Sequence, residues 1–322
     1  MAGLGTPLAA LAVVALLGAG PAWATGEPAA RASRPADLSG LTVTAPQKPT
    51  PLVNPASQFV RSHVPENRAG QLSRFRDKVC VNVVGLPAAY DAFIAKRILK
   101  LAAQVAAPID HSARCTPNVN VIFSPNPQAQ LDDIAKRREI LMGFHWLAQM
   151  TQLATFDRPI QSWYLTRSVG TDGRSVLELN HGSTFMDGGP GAPPVSIGGT
   201  VVGRAGSRLG DDQSSELVHS LILVDANKVA EAKIGAVADY IALLALSRWQ
   251  GLERCNTVPT ILNLMADGCA EAPPETATPS DLALLSALYA VDPRETGSQQ
   301  RMSIATRMRQ SAGTKASGKA QD

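Results

Sequence analysis

The chain has 322 residues, with 30 Lys and Arg against 27 Asp and Glu, a net charge of +3. So small an excess, with no stretch that interleaves basic and aromatic side chains, excludes a nucleic-acid groove. Hydrophobic residues make up 45%, enough to bury the core of one large domain or two small ones.

From Pro7 to Leu17 the chain is almost wholly apolar, and Gly18, Gly20 and Pro21 lead into Ala22-Trp23-Ala24, a small-x-small cleavage site. This predicts a signal peptide over residues 1–24. The apolar run falls short of the ~20 residues that span a bilayer, which argues against an anchor. No Lys or Arg precedes Arg31, so the n-region carries only the α-amino charge, and Thr25 stands where a lipoprotein needs Cys. The expected location is secreted or periplasmic, with no transmembrane helix in the mature chain. Residues 25–57, rich in Ala, Pro, Ser and Thr, read as a flexible linker. Residues 58–310 read as a single α+β domain, a mixed β-sheet with packed helices and a helical C-terminal part over 230–310. Residues 311–322 read as a disordered tail.

Strands are expected at Val79–Val84 and Asn118–Phe123, separated by a helix whose apolar stripe includes Tyr90, Phe93, Ile94, Ile98, Leu101 and Val105. A second helix is expected over Leu131–Phe144. Ile160–Val169 and Ser175–Asn180 alternate around Thr171-Asp172-Gly173 as a β-hairpin. His181–Ser207 holds eight glycines and three prolines, a long loop or edge excursion of the kind that carries function. Leu217–Val224 reads as a central strand. The helix expected over Ile234–Trp249 is apolar nearly all round and therefore buried. Pro259–Ala266 reads as a short helix or turn, Pro279 opens a helix with Ser280 as N-cap, and Arg301–Gln310 closes the fold.

Cys80, Cys115, Cys255 and Cys269 form an even set in a chain bound for an oxidising compartment, which favours disulfides over metal or catalysis. Three pairings are possible. A β-α-β crossover would lay the first two strands parallel with their starts together, bringing Cys80 to Cys115. Cys255 with Cys269 would then staple a short segment. No spacing is C-x2-C, so a four-cysteine zinc site is disfavoured.

Two polar residues, Asp239 and Tyr240, interrupt the greasy helix. A buried carboxylate needs a partner, and Asn227 or Lys228 from the turn Asp225-Ala226-Asn227 is expected to supply it. A ligand site is the alternative, which makes Asp225, Asn227, Lys228, Asp239 and Tyr240 the candidate binding or buried polar set. A serine hydrolase built from Ser214 or Ser215, His219 and Asp225 lacks a G-x-S-x-G elbow. Gly198–Gly203 lacks the Gly-Lys-Ser/Thr end of a phosphate loop, so no nucleotide or other cofactor is implied.

The order strand, helix, strand, helix, hairpin, strand, buried helix resembles that of metzincin-type zinc peptidases. Val237–Leu246 sits where such proteins carry an H-E-x-x-H helix, Leu264-Met265-Ala266 resembles their Met-turn, and Thr278–Tyr289 looks like their closing helix. The layout is also similar to that of an uncharacterised group of exported bacterial proteins. The resemblance spans roughly residues 76–291. With Asp239 in place of the first zinc-binding His, Tyr240 replaces the general-base Glu, Leu243 the second His and Trp249 the third ligand. Zinc hydrolysis needs about three ligands and a base, so this helix cannot perform it. The resemblance implies a zinc-less pseudo-peptidase scaffold, without catalytic or metal residues, binding an unknown protein, peptide or glycan in the cell envelope. The alternative is a hydrolase with a non-metal site near Asp225, His219 and Asp239.

Overall fold

The computed structural model describes residues 54–112, 114–143, 145, 147–179, 184–186, 195–197 and 213–318. The chain divides into Met1–Pro51 and Leu52–Asp322. The expected signal peptide and nearly all of the expected linker lie outside the described residues. The linker boundary at 57 falls inside the first helix, α1 (Pro55–His63), which Asn54 caps by accepting the Ala56 N–H.

The fold is α+β. After β1 (Arg74–Phe75) comes β2 (Val81–Val84), then α2 (Ala88–Gln104) and β3 (Val119–Ser124). Strands β2 and β3 run parallel, with Val81 opposite Val119. Their starts therefore coincide, and Cys80 is bonded to Cys115 across them. Helix α3 (Pro127–Arg137) starts earlier and ends sooner than its spacing suggests. The correction has a physical cause. Gly143 takes φ +68° and lies so close to β4 (Ile160–Gly170) that a Cβ there would meet the Tyr164 carbonyl. The chain must leave the helix to lie on that strand, and Glu139–Met142 forms only a 3-10 turn. A one-turn helix, α4 (Met150–Leu153), precedes β4.

Strands β4 and β5 (Ser175–Glu178) form the expected hairpin. Within the glycine-rich stretch 181–207, β6 (Thr184–Met186) and β7 (Val195–Ile197) extend the sheet beyond β5. The rest of that stretch, including His181, lies outside the described residues. Strand β8 (Gln213–Asp225) is central, parallel to β3 on one side and antiparallel to β4 on the other. The register slips at Val218, so His219, Leu221 and Leu223 face one side of the sheet and Ser220, Ile222 and Val224 the other. Leu221 and Leu223 pack with Leu131, Ile134, Met142 and Trp163 in a smaller core. The larger core joins the opposite face to α2, to α5 (Ile234–Leu246) and to the C-terminal helices.

Helix α5 ends at Leu246, three residues before the expected Trp249. Its terminal carbonyls must be satisfied inside the core. Trp249 Nε1 donates to Leu243 O (2.7 Å), Ser220 Oγ to Ala245 O (3.0 Å) and the Tyr289 hydroxyl to Leu246 O (2.9 Å). Those caps require Trp249 to turn back off the helix.

A 3-10 turn, Ile261–Met265, leads to α6 (Pro279–Ala290). The N-cap of α6 is Thr278, not Ser280, because Thr278 and Asp281 close a reciprocal capping box. Asp281 also accepts from Thr260 Oγ1 (2.5 Å) and Ile261 N (2.9 Å), tying the turn to the helix. The last helix, α7, spans Gly297–Gly318, so the tail boundary expected at Ser311 falls inside it. Cys255 and Cys269 form the second disulfide.

Candidate functional site

Asp239 and Tyr240 are consecutive on α5, so their side chains leave it about 100° apart. Asp239, 4% exposed, faces α2. Arg97 grips it with two parallel bonds, Nε to Oδ1 at 2.6 Å and Nη2 to Oδ2 at 2.8 Å. The Ala277 N–H adds a third bond at 2.8 Å. Asp239 holds the Arg97 guanidinium above its ordinary pKa by that hydrogen bonding and its charge, against a smaller opposing effect of burial. The carboxylate is thus committed to joining α2, α5 and the approach to α6.

The expected partners of Asp239, Asn227 and Lys228, lie elsewhere. Their backbone N–H groups donate to Asp225 Oδ1 at 3.0 and 3.3 Å, and the Lys228 ammonium stands 3.9 Å from Asp225 Oδ2. These three form a turn that ends β8, and Asn227 Nδ2 pins it to Pro125 O. The polar set predicted from the sequence therefore separates into a turn, a clamp and Tyr240.

The hydrolase alternative does not assemble. His219 and Asp225 are six residues apart on one strand, about 20 Å at ~3.3 Å per residue. Asp239 belongs to a helix packed on the opposite face of the sheet from His219. Ser215 bonds Ser73 instead (Oγ to Oγ 2.5 Å). His219 Nε2 takes its hydrogen bond from Asn120 Nδ2 at 2.7 Å, while its Nδ1 is buried with no partner among the described residues. Burial, then repulsion from Arg138, lowers the imidazole pKa to about 4.

Tyr240 stands apart from both groups. It is 2% exposed, yet its hydroxyl makes no hydrogen bond among the described residues. It lines a cavity of about 480 Å³ with Gln152, Asp157, Arg158, Pro159, Ile160, Leu252, Glu253, Met265 and Asp267. A neighbouring cavity of about 250 Å³ shares Asp157, Arg158 and Glu253 and continues past Gln161 and Ser162 to Trp249. Together they form a cleft between the start of β4 and residues 249–253. Burial pushes the Tyr240 phenol well above its ordinary pKa, Arg158 partly opposes this and Glu253 adds to it. The hydroxyl therefore lies within electrostatic reach of the cleft's charged side chains.

An ion pair between Arg158 and Glu253 ties the two walls together. Asp267 N donates to Glu253 O and Cys255 N to Asp267 O, so the Cys255–Cys269 bridge braces the rim. The outer edge of β4 over Ile160–Trp163 has no partner strand among the described residues. Arg97, Arg158, Glu253 and Asp267 were missed in the sequence. Arg97 left one signal, a charge inside the Ile94, Ile98, Leu101 stripe. The cleft residues left none, because they come together only from separate segments.

Two positions that the metzincin resemblance singled out, Tyr240 in the place of the general base and Met265 in the Met-turn, line one cavity. The three ligand places are otherwise used: Asp239 by Arg97, Leu243 by complete burial and Trp249 by capping α5. Among the described residues no group of three or more His, Cys, Asp or Glu is placed to hold a metal ion. No helix among them is long and apolar enough to cross a membrane. No family model matches the chain, and neither a curated protein nor a solved structure matches it.

Proposed function

We propose that this chain is an exported, non-enzymatic binding domain, a zinc-less pseudo-peptidase scaffold that holds a peptide segment of an envelope protein in the cleft beside α5. The observation that carries this reading is Tyr240, a residue only 2% exposed whose hydroxyl has no partner among the described residues and lines a cavity large enough for a side chain. A hydroxyl that faces open space in this way keeps a hydrogen bond to offer a ligand atom. A peptide fits better than a glycan because the cleft runs along the unpaired edge of β4, where an extended chain can add main-chain hydrogen bonds. The export signal and the disulfides support an oxidising compartment as the place of binding.

Metal analysis of the purified protein and a broad peptidase screen test the non-enzymatic part. Substoichiometric metal and no cleavage are expected, whereas stoichiometric zinc or reproducible cleavage overturns it. An immobilised array of envelope-protein peptides and glycans tests the occupant: retention of peptides, weakened by Tyr240→Phe, is expected, and retention of glycans alone refutes the peptide reading.

A further inference from the structure

The lining of the larger cavity selects its occupant by charge. Asp157, Glu253 and Asp267 contribute three carboxylates and Arg158 one guanidinium, leaving two negative charges in excess. Arg158 serves two of the carboxylates, pairing with Glu253 and standing 3.8 Å from Asp157. The Asp267 carboxylate has no side-chain partner among the described residues. Below this rim the wall is apolar, formed by Pro159, Ile160, Leu252 and Met265. The unpartnered Tyr240 hydroxyl is set into that wall. It can accept a hydrogen bond, and because burial keeps it protonated it carries no charge of its own.

We propose that this cavity is a recognition pocket for an alkyl-ammonium or guanidinium group on an apolar stem, the chemistry of a lysine or arginine side chain of the bound peptide. The proposal rests on the cleft reading above and gives it a specificity. The methylene stem packs on Leu252, Ile160 and Met265, which is how long basic side chains bury their aliphatic length. The cationic head then meets the Tyr240 oxygen and the free Asp267 carboxylate, a bond strengthened by the charge on both partners. An anionic side chain would face the excess carboxylates, and an uncharged apolar one would leave the hydroxyl unsatisfied. A free polyamine offers the same head group, so the test separates the two sources.

The mature protein is titrated with capped alanine-rich peptides that differ only at one central residue, Lys, norleucine or Glu, and separately with spermidine. Amide chemical shifts are followed up to millimolar probe. The Lys peptide should bind at least about tenfold more tightly than the norleucine peptide, and the Glu peptide should not bind. Tyr240→Phe and the exposed-rim variant Asp267→Asn should each weaken the Lys peptide about five- to tenfold without altering the melting temperature. Equal binding of the norleucine and Lys peptides overturns the charge selection while the cleft reading survives. Spermidine binding that is sensitive to Asp267→Asn, with no peptide bound, keeps the cation pocket and overturns the peptide. No binding by any probe overturns both.

Discussion

Asp239 and Tyr240 are neighbours on one buried helix, and their surroundings differ completely. On the side facing α2, both oxygens of Asp239 are engaged, by an arginine fork and a backbone amide. On the side facing β4, Tyr240 has a cavity and no partner among the described residues. Burial alone does not mark a binding site, because both residues are buried to a similar degree. A satisfied polar group holds the fold together, and an unsatisfied one beside open space leaves binding energy for something else.

The contrast can be broken first at Asp239. Asp239→Ala leaves a half-buried guanidinium and the Ala277 N–H without their acceptor, and it should cost about 3–4 kcal/mol in a urea unfolding titration. A loss below about 0.5 kcal/mol would show that the clamp contributes nothing.

His219, on the other face of the sheet, is a second buried polar group short of a partner, and its effect is read by pH. Its folded pKa of about 4 lies below the ordinary 6.5. Between those values the unfolded chain binds more protons, so stability complete above pH 6.5 is lost as pH falls towards 4. The loss is on the order of 3 kcal/mol. His219→Gln should flatten that part of the stability profile, and an unchanged slope would contradict the account. The difference between the two proteins isolates this group from Asp281, whose pKa burial raises and whose contribution declines as pH rises above its unfolded value.

On the cleft side, replacing Cys255 and Cys269 together by Ala releases the brace behind Glu253 and Asp267. The chain-entropy cost for a loop of this size is about 3 kcal/mol. Its melting temperature should fall, and a thermal scan showing no fall would refute the bracing role. The smallest effect belongs to Tyr240→Phe, which removes a hydroxyl with no hydrogen bond among the described residues and should change stability by less than about 0.5 kcal/mol. A destabilisation above about 1.5 kcal/mol in the urea titration would mean that the hydroxyl has a structural partner after all.

Much of this architecture was legible in the residues. Period-2 alternation located β4 and β5, a continuous apolar run located the middle of β8, and the stripe of Ile94, Ile98 and Leu101 located α2, although Tyr90 and Phe93, read into the same stripe, are exposed. The same patterns failed at element ends. Helix α3 stops where Gly143 must approach Tyr164, and α5 stops where Trp249 must cap Leu243, and both stops depend on residues far away in the fold. The candidate site was half legible. Polarity in an apolar helix pointed to Asp239 and Tyr240 without saying which was committed.

Composition, periodicity and the expected strand order determined the class of fold, the two disulfide pairings and the centrality of β8, because each follows from the pattern within a segment and from how a β-α-β unit must cross over. Tertiary structure alone decided that Arg97 takes Asp239, that Asp225 is held by its own turn, and that Arg158, Glu253, Met265 and Asp267 meet around Tyr240. Those contacts join segments up to 142 residues apart. Sequence spacing carries no information about such meetings until the sheet and helices have packed.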